Sequence, residues 1–394
     1  MDNKIEMYKE MVLKGEKLEK EQAMELLTVD LDELCKAADE IRKAFCDNKF
    51  DMCTIINGKS GRCSENCKYC AQAACHKTEV ENYPLLSTEE ILEDAKKIES
   101  QGVRRYSIVT SGKRLNAAEV DQMCECIKKL REETNLHVCG SFGLLDKEAF
   151  GKLKEAGLTR VHNNLETSRR YFPDVCTTHT FDDKIAAITA AKEAGLEVCS
   201  GGIMGIGETM EDRIDMALEV RRLGVHSVPV NMLNAIPGTP YENEPRLTTD
   251  EMRRIVAVYR FLLPDAFIRL AGGRGLMEDK GRGCMESGAN AAISGDMLTT
   301  SGITVKTDFQ LLVIPSSFPF HSNHEEKGLS TTPSFFVYAL FADCPVTDIP
   351  ENTNTVMTKN HVLIDTGNIL RANIHGINIT EECESRCLGK FFLE

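Results

Sequence analysis

The sequence predicts an α/β fold, a (β/α)8 TIM-type barrel with helices before it and a C-terminal tail of unassigned fold. Two observations lead there. Five times a stretch with helical spacing stops at Gly or Pro and an apolar run follows at once, as where "STEEILEDAKKIESQG" gives way to "VRRYSIVTSG". Three more apolar runs, "DMCTIIN", "LHVCGSF" and "NAAISG", bring the strand candidates to eight. Strands alternating with helices imply a parallel sheet, and eight such units are the number that closes a barrel. An open doubly wound sheet has the same periodicity, so periodicity alone does not separate the two.

Residues 1–48 read as helices, charged and without a continuous apolar stretch. The first strand is expected at 51–57. Ser87 and Glu90 then form a capping-box pattern, and Ile91, Leu92, Ala95 and Ile98 share one helix face. Strands are expected next at 104–110 and 136–142, and at 159–166 after "DKEAFGKLKEAG". Three more helix patterns, "TFDDKIAAITAAKEAG", "TMEDRIDMALEVRRLG" and "TTDEMRRIVAVYRFLLPD", lead to strands at 196–203, 225–232 and 266–271, and the last strand is expected at 290–295. Terminal Gly and Pro are the stop signals of helices. The expected segments are thus 1–48, 49–308 and 309–394. Past residue 308 Ser, Thr, Pro and Asn dominate without helical period, although "HVLIDTGNILRANIHGINIT" has strand-like runs. Cys383 and Cys387 in "CESRC" have ligand-like spacing but no third cysteine nearby, and read as chance.

Of the 394 residues 42% are hydrophobic, enough for a sizeable core. A formal charge of −14 argues against a nucleic-acid or acidic-membrane partner. No apolar run reaches the roughly 18 residues of a membrane span. The N-terminal stretch has no apolar signal core, so the expected location is cytoplasmic. In that compartment thiols stay reduced, and clustered cysteines bind metal or do redox work. The chain has 16 cysteines. The isolated Cys35, Cys46, Cys124, Cys126 and Cys176 read as small buried apolar groups.

One cluster stands out. Cys63, Cys67 and Cys70 in "GRCSENCKYCAQ" are spaced CxxxCxxC directly after the first strand, at the end where a barrel keeps its chemistry. A 4Fe–4S cluster normally takes four cysteine ligands, so three local thiolates leave one iron open. A zinc knuckle is the alternative. It wants a second CxxC or a His pair, and Cys75 and His76 do not complete such a pattern.

With Tyr69 before the last cysteine, this loop resembles that of the radical S-adenosylmethionine superfamily. The resemblance implies that the open iron chelates S-adenosylmethionine, whose one-electron cleavage releases a 5′-deoxyadenosyl radical. The segments "HNNLETS", "VCSGGIMGIGET", "SVPVNML", "IRLAGGR" and "GANAAISGDMLTT" further resemble the biotin synthases over roughly residues 40–308. That resemblance implies sulfur insertion into dethiobiotin, two iron–sulfur clusters, and a reducing electron donor. A homodimer is compatible with it. Asn164 and Glu166 match positions that hold the cofactor's ribose, with Glu166 where the family usually has Asp. Gly201, Gly202, Gly205 and Gly207 are small residues suited to a cofactor lying against strand backbone. Asn231 matches a substrate-contacting Asn, and His162 stands at a cavity position where Asn is usual.

The second cluster is where the chain departs from the pattern. The family places three Cys and one Arg around a 2Fe–2S cluster, and Cys139, Cys199 and Arg269 match three of the four. The fourth position is Ser107, a poor donor for iron beside a thiolate. Cys53, on the neighbouring first strand where Ser is usual, is expected to replace it. Ala291, where Ser is usual, adds to a reshaped cavity and a cluster of different size or ligation. An inert Cys53 thiol is the competing reading. Interior arginines Arg105 and Arg269 call for anionic partners, either this cluster or carboxylates. Two alternatives stand beside the biotin synthase expectation: another radical enzyme, hydrogenase-maturase-like or methylornithine-synthase-like, and a non-catalytic metal-binding protein.

Overall fold

The computed structural model describes residues 3–47 and 49–312, and the backbone of three short strands further on. Nine strands form one parallel sheet: β1 (Asp51–Lys59), β2 (Arg105–Thr110), β3 (His137–Ser141), β4 (Arg160–His162), β5 (Glu197–Cys199), β6 (Gly202–Met204), β7 (Ser227–Met232), β8 (Phe267–Leu270) and β9 (Ala291–Ser294). β1 pairs with β9 on one side and β2 on the other. The ring closes where β5 and β6 both pair with β7, at Cys199↔Ser227 and Ile203↔Asn231. β5 and β6 are two halves of one barrel strand, so the barrel has eight staves. The open doubly wound alternative is thereby excluded.

Two expected strands are interrupted. The strand expected at 196–203 breaks at Ser200 and Gly201, where a Cβ on Gly201 would collide with the Pro229 carbonyl of β7. The strand expected at 159–166 ends at His162, because the chain turns through Glu166 at φ +71°.

The helices around the barrel start alike. The side chains of Ser87, Asn116, Thr180, Thr209 and Thr248 each accept a hydrogen bond from the backbone three residues on, and an acidic side chain there accepts from the capping residue's own N–H. These reciprocal caps satisfy amides that a helix start leaves unpaired. Before the barrel come helices Asn3–Leu13, Lys20–Glu25 and Leu31–Cys46, as expected for residues 1–48. Leu31–Cys46 buries Leu34, Ala37, Ala38 and Ile41 and packs on the helix Thr249–Leu262. The helix Val305–Leu312 runs across residue 308 and is tied to the barrel by Asp308, which accepts from Arg274 Nη1 at 2.8 Å.

Ser322–Glu394 form a separate unit. Its described part is an antiparallel sheet in which β12 (His361–Asp365) lies between β10 (Phe336–Ala339) and β11 (Thr355–Thr358). The "CESRC" segment lies outside the described residues. Among the described residues, no helix is long and apolar enough to cross a membrane.

Inside the barrel, at the N-terminal ends of the strands, side chains from four staves meet at one carboxylate. Asp51 accepts from Arg269 Nη2 at 2.6 Å, Arg160 Nη1 at 3.0 Å and Arg105 Nε at 3.3 Å. Burial alone would raise its pKa, but the three guanidinium groups more than offset this and hold it well below the usual carboxylate range. Arg160 is shared with Glu197, whose Oε2 lies 2.9 Å from its Nε. Carboxylates are thus among the anionic partners expected of Arg105 and Arg269.

Replacing Asp51 by Asn keeps the shape and removes the charge, stranding guanidinium groups in the interior. We expect Asp51→Asn to lose about 3–5 kcal/mol of stability in urea unfolding. A loss under about 1 kcal/mol would mean that the network does not hold the barrel. Because the folded carboxyl is depressed, its contribution is complete above the unfolded value near pH ~4 and is lost only as the pH falls further toward the folded value. The stability difference between parent and variant should therefore stay constant from neutral pH down to about pH 5.

Candidate active site

The cysteine loop springs from the C-terminal end of β1 and folds back on itself. Gly61 takes φ +70° and donates its amide to Gln72 Oε1 at 3.0 Å. Cys63 N–H donates to Gln72 O at 3.0 Å, and Ala74 N–H returns a bond to Cys63 O at 2.9 Å. Cys70 N–H donates to Cys67 O at 3.0 Å, and the Cys70 carbonyl lies 3.0 Å from His76 Nδ1. The three expected ligands thus sit on one curl, with Cys63 buried and Cys67 and Cys70 half-buried. Burial pushes the Cys70 thiol up to about 11, and Cys63 and Glu166 add to that shift. Tyr69 is packed with Val175, Ile206, Leu233 and Tyr241, which fixes the middle of the curl.

Facing this loop is the turn after β4. Glu166 has a left-handed backbone, uncommon for a residue with a side chain. It is held there by bonds on both sides, Glu166 N–H to Gly201 O at 3.0 Å and Ile203 N–H to Glu166 O at 2.9 Å. Strain maintained by surrounding structure is a mark of functional positions. Burial raises the Glu166 carboxyl above its ordinary value. Its Oε2 and the Oδ1 of Asn164 are buried with no partner. Buried acceptors without donors are costly. The pair therefore suits a ligand that brings hydroxyl groups.

The glycines and Asn231 have structural reasons that sequence reasoning missed. A Cβ on Gly202 would strike the Glu166 carbonyl, as one on Gly201 would strike Pro229. Gly205 and Gly207, at φ +90° and +91°, shape a loop braced by Glu208, which accepts from the Gly205 and Ile206 amides at 2.9 and 2.7 Å. Asn231 donates from Nδ2 to Gly202 O at 3.0 Å and accepts at Oδ1 from Gly272 N–H at 2.9 Å. Its amide thus clamps β7 between its neighbours, using one donor and one acceptor on backbone.

Below the loop lies the thiol layer. Cys53, Cys139 and Cys199 are fully buried on β1, β3 and β5, and so are Ser107 and Arg269. Arg269 Nη1 donates to Cys53 Sγ at 3.3 Å, Arg105 Nη1 to Cys139 Sγ at 3.4 Å, and Ser227 Oγ to Cys199 Sγ at 3.2 Å. Burial pushes Cys53 up to about 12. Cys139 goes the other way: burial opposes its ionisation, but His162, Arg105 and Arg160 prevail and bring it to about 7. Ser107 Oγ sits 2.9 Å from His162 Nε2, so two of the residues that depart from the family pattern contact each other. Ala291 is buried beside Arg269 in the β8–β9 register.

A further group was not foreseen. Cys176, read from the sequence as an isolated apolar residue, makes polar contacts with Asn66 Oδ1, Thr178 Oγ1 and His179 Nδ1 at 3.3–3.4 Å and lies beside Cys67. Its interaction with Cys67 draws its pKa down and drives that of Cys67 up. The CxxH spacing of Cys176 and His179 was the available signal.

Comparison with known proteins matches this architecture. The radical SAM superfamily model covers residues 57–220, and that of the biotin and thiamin synthesis associated domain covers residues 229–313. A biotin synthase from Brachyspira hyodysenteriae is 60% identical over 304 residues, 77% of this chain and 91% of the relative. One from Akkermansia muciniphila is 56% identical over 301 residues, 76% of this chain and 94% of that protein. Among solved structures, methylornithine synthase superposes with a TM-score of 0.70 at 20% identity, covering 80% of this chain and 97% of its own. The FeFe-hydrogenase maturase of Carboxydothermus hydrogenoformans gives 0.67 at 17%, covering 78% and 77%. These two share the fold. Identity of 60% across nine-tenths of a relative is a closer bond, and by it the chain belongs to the biotin synthase family.

Proposed function

We propose that the chain inserts sulfur into dethiobiotin to form biotin, with residues 49–308 as the catalytic segment. The observation that carries this reading is the presence of two sulfur-rich sites in one closed barrel: the CxxxCxxC curl at the C-terminal end of β1, and three buried thiols in the interior. When bound, a 4Fe–4S cluster with S-adenosylmethionine supplies a 5′-deoxyadenosyl radical, and a second iron–sulfur cluster supplies the sulfur. Carbon–hydrogen bonds without acidity need radical chemistry of this kind, since no side-chain base can remove such a hydrogen.

The chain's residues divide the work. Cys63, Cys67 and Cys70 hold the first cluster, one ligand short of the usual four, which leaves a position for the amino acid end of S-adenosylmethionine. Asn164 and Glu166 accept from its ribose, giving their buried oxygens the partners they lack. Cys53, Cys139 and Cys199 hold the second cluster, with Arg269 beside Cys53. Three guanidinium groups against the carboxylates of Asp51 and Glu197 leave the base of the barrel net positive, which favours thiolates and an anionic cluster. His162, held by Ser107, and Asn231 are assigned to the substrate side. The barrel interior keeps bulk water from the radical. The reaction draws on an external one-electron reductant.

An anaerobic assay with dethiobiotin, S-adenosylmethionine and a reductant, paired with iron and sulfide analysis, tests the reading. Biotin should form, and sulfide should be lost from the protein during turnover. S-adenosylmethionine cleavage without biotin would point instead to another radical reaction. Cys53→Ala should keep the first cluster but lose the iron and sulfide of the second, with biotin formation abolished. A full second complement in that variant would rule Cys53 out, whereas Ser107→Cys should change the metal content little. Glu166→Ala should weaken S-adenosylmethionine binding about tenfold or more, measured by equilibrium dialysis of the reconstituted protein.

A further inference from the structure

Beside the cysteine curl, two segments distant in sequence build a second set of metal donors. Cys67, Cys176 and His179 each offer one donor atom, and these atoms lie within 4.8 Å of one another. Among the described residues no other three His, Cys, Asp or Glu side chains do so. The arrangement is anchored by its own bonds. Lys68 N–H donates to Val175 O at 3.0 Å, and Asn66 Nδ2 donates to Thr177 Oγ1 at 2.6 Å, docking the curl on the segment after the helix Phe172–Val175. His179 Nδ1 lies 3.3 Å from Cys176 Sγ and 2.6 Å from Glu65 Oε2. Thr178 Oγ1 donates to the same carboxylate at 2.8 Å. Cys176, His179 and Glu65 are buried, and half-buried Cys67 gives the way in.

Two thiolates and an imidazole at this spacing are a zinc donor set, with a fourth position to spare. Glu65 Oε2 contacts the same Nδ1 that faces Cys176 Sγ, so an ion taken at that nitrogen replaces the proton shared with Glu65. Soft sulfur donors favour Zn2+ over Fe2+, which also stands lower in the order of divalent affinities.

We propose that, before the CxxxCxxC loop receives iron and sulfide, the chain binds one thiophilic divalent cation, Zn2+ by preference, through Cys67, Cys176 and His179. Cys67 belongs to both sets, so the ion and the first cluster exclude each other. Zinc then competes with cluster loading, and Cys176 and His179 set how strongly. The exclusion rests on the reading of Cys67 as a cluster ligand. The binding of the ion does not.

The test uses full-length protein freed of metal under anaerobic conditions, with Co2+ as the spectroscopic probe for Zn2+. One Co2+ per chain should bind with the visible bands of a tetrahedral site and thiolate charge transfer, and Zn2+ should displace it. Cys176→Ala and His179→Ala should each weaken binding at least about tenfold. The double variant Cys63→Ala/Cys70→Ala should keep parent affinity, because those thiols lie outside the set. Parent affinity in both Cys176→Ala and His179→Ala, or its loss in the double variant, would overturn the proposal. A second arm loads iron and sulfide with and without one equivalent of Zn2+. Parent protein should lose first-cluster iron when zinc is present, and Cys176→Ala should load despite it. Equal loading of the parent with and without zinc refutes the exclusion. Failure to load even without zinc refutes the cluster reading while leaving the Co2+ result standing.

Discussion

Three guanidinium groups reach across the inside of the barrel to the single carboxylate of Asp51, and the rest of the interior is arranged around that fact. A buried cation is costly without a partner, and three in one layer would prevent the barrel from closing. Asp51 connects β1 to its neighbour β2 and also to β4 and β8, with which β1 shares no ladder. It also sets the electrical character of the layer above. Arg269 and Arg105 each hold Asp51 with one part of the guanidinium and a thiol with another, Cys53 and Cys139 respectively. The same pairing that closes the barrel thus orients its sulfur atoms.

The two thiols nonetheless differ in their surroundings. Cys139 has His162 and two arginines near it and ionises near neutral pH. At Cys53 burial dominates and raises the thiol, Arg269 only partly offsets it, and Asp51 and the other thiols add to the rise. Metal binding releases protons from such ligands, so the two sites differ in what a cluster must displace. Ser107 no longer offers a thiolate and instead fixes the His162 ring that acts on Cys139.

The legible parts of the chain were those whose partners are close in sequence. The eight staves, the capping box at Ser87 and the CxxxCxxC curl all follow from residues a few positions apart. Cys53 was noticed only because Ser107 lacked a thiol. Asp51 escaped notice because its partners lie 54, 109 and 218 residues away, and one acidic residue at the head of an apolar strand gives no local signal. Asn231 was assigned to the substrate, yet two of its hydrogen bonds go to backbone groups, which leave no residue signature. Gly201 and Gly202 were given to the cofactor, whereas the close approach of Pro229 and Glu166 already requires them. Cys176 was counted as filler because its distance from Cys67 in the chain hides their contact.

By itself, then, the sequence determined the eight alternating strand and helix units and the CxxxCxxC loop after the first strand, because helical period, turn residues and local ligand spacing are short-range properties, and its motifs carried the resemblance to the family. Tertiary structure alone decided which charges meet, which thiols ionise and which polar groups remain unpaired. Those outcomes depend on distances across a closed ring. Burial there strengthens every electrostatic interaction, and the ring joins residues that the linear chain keeps far apart.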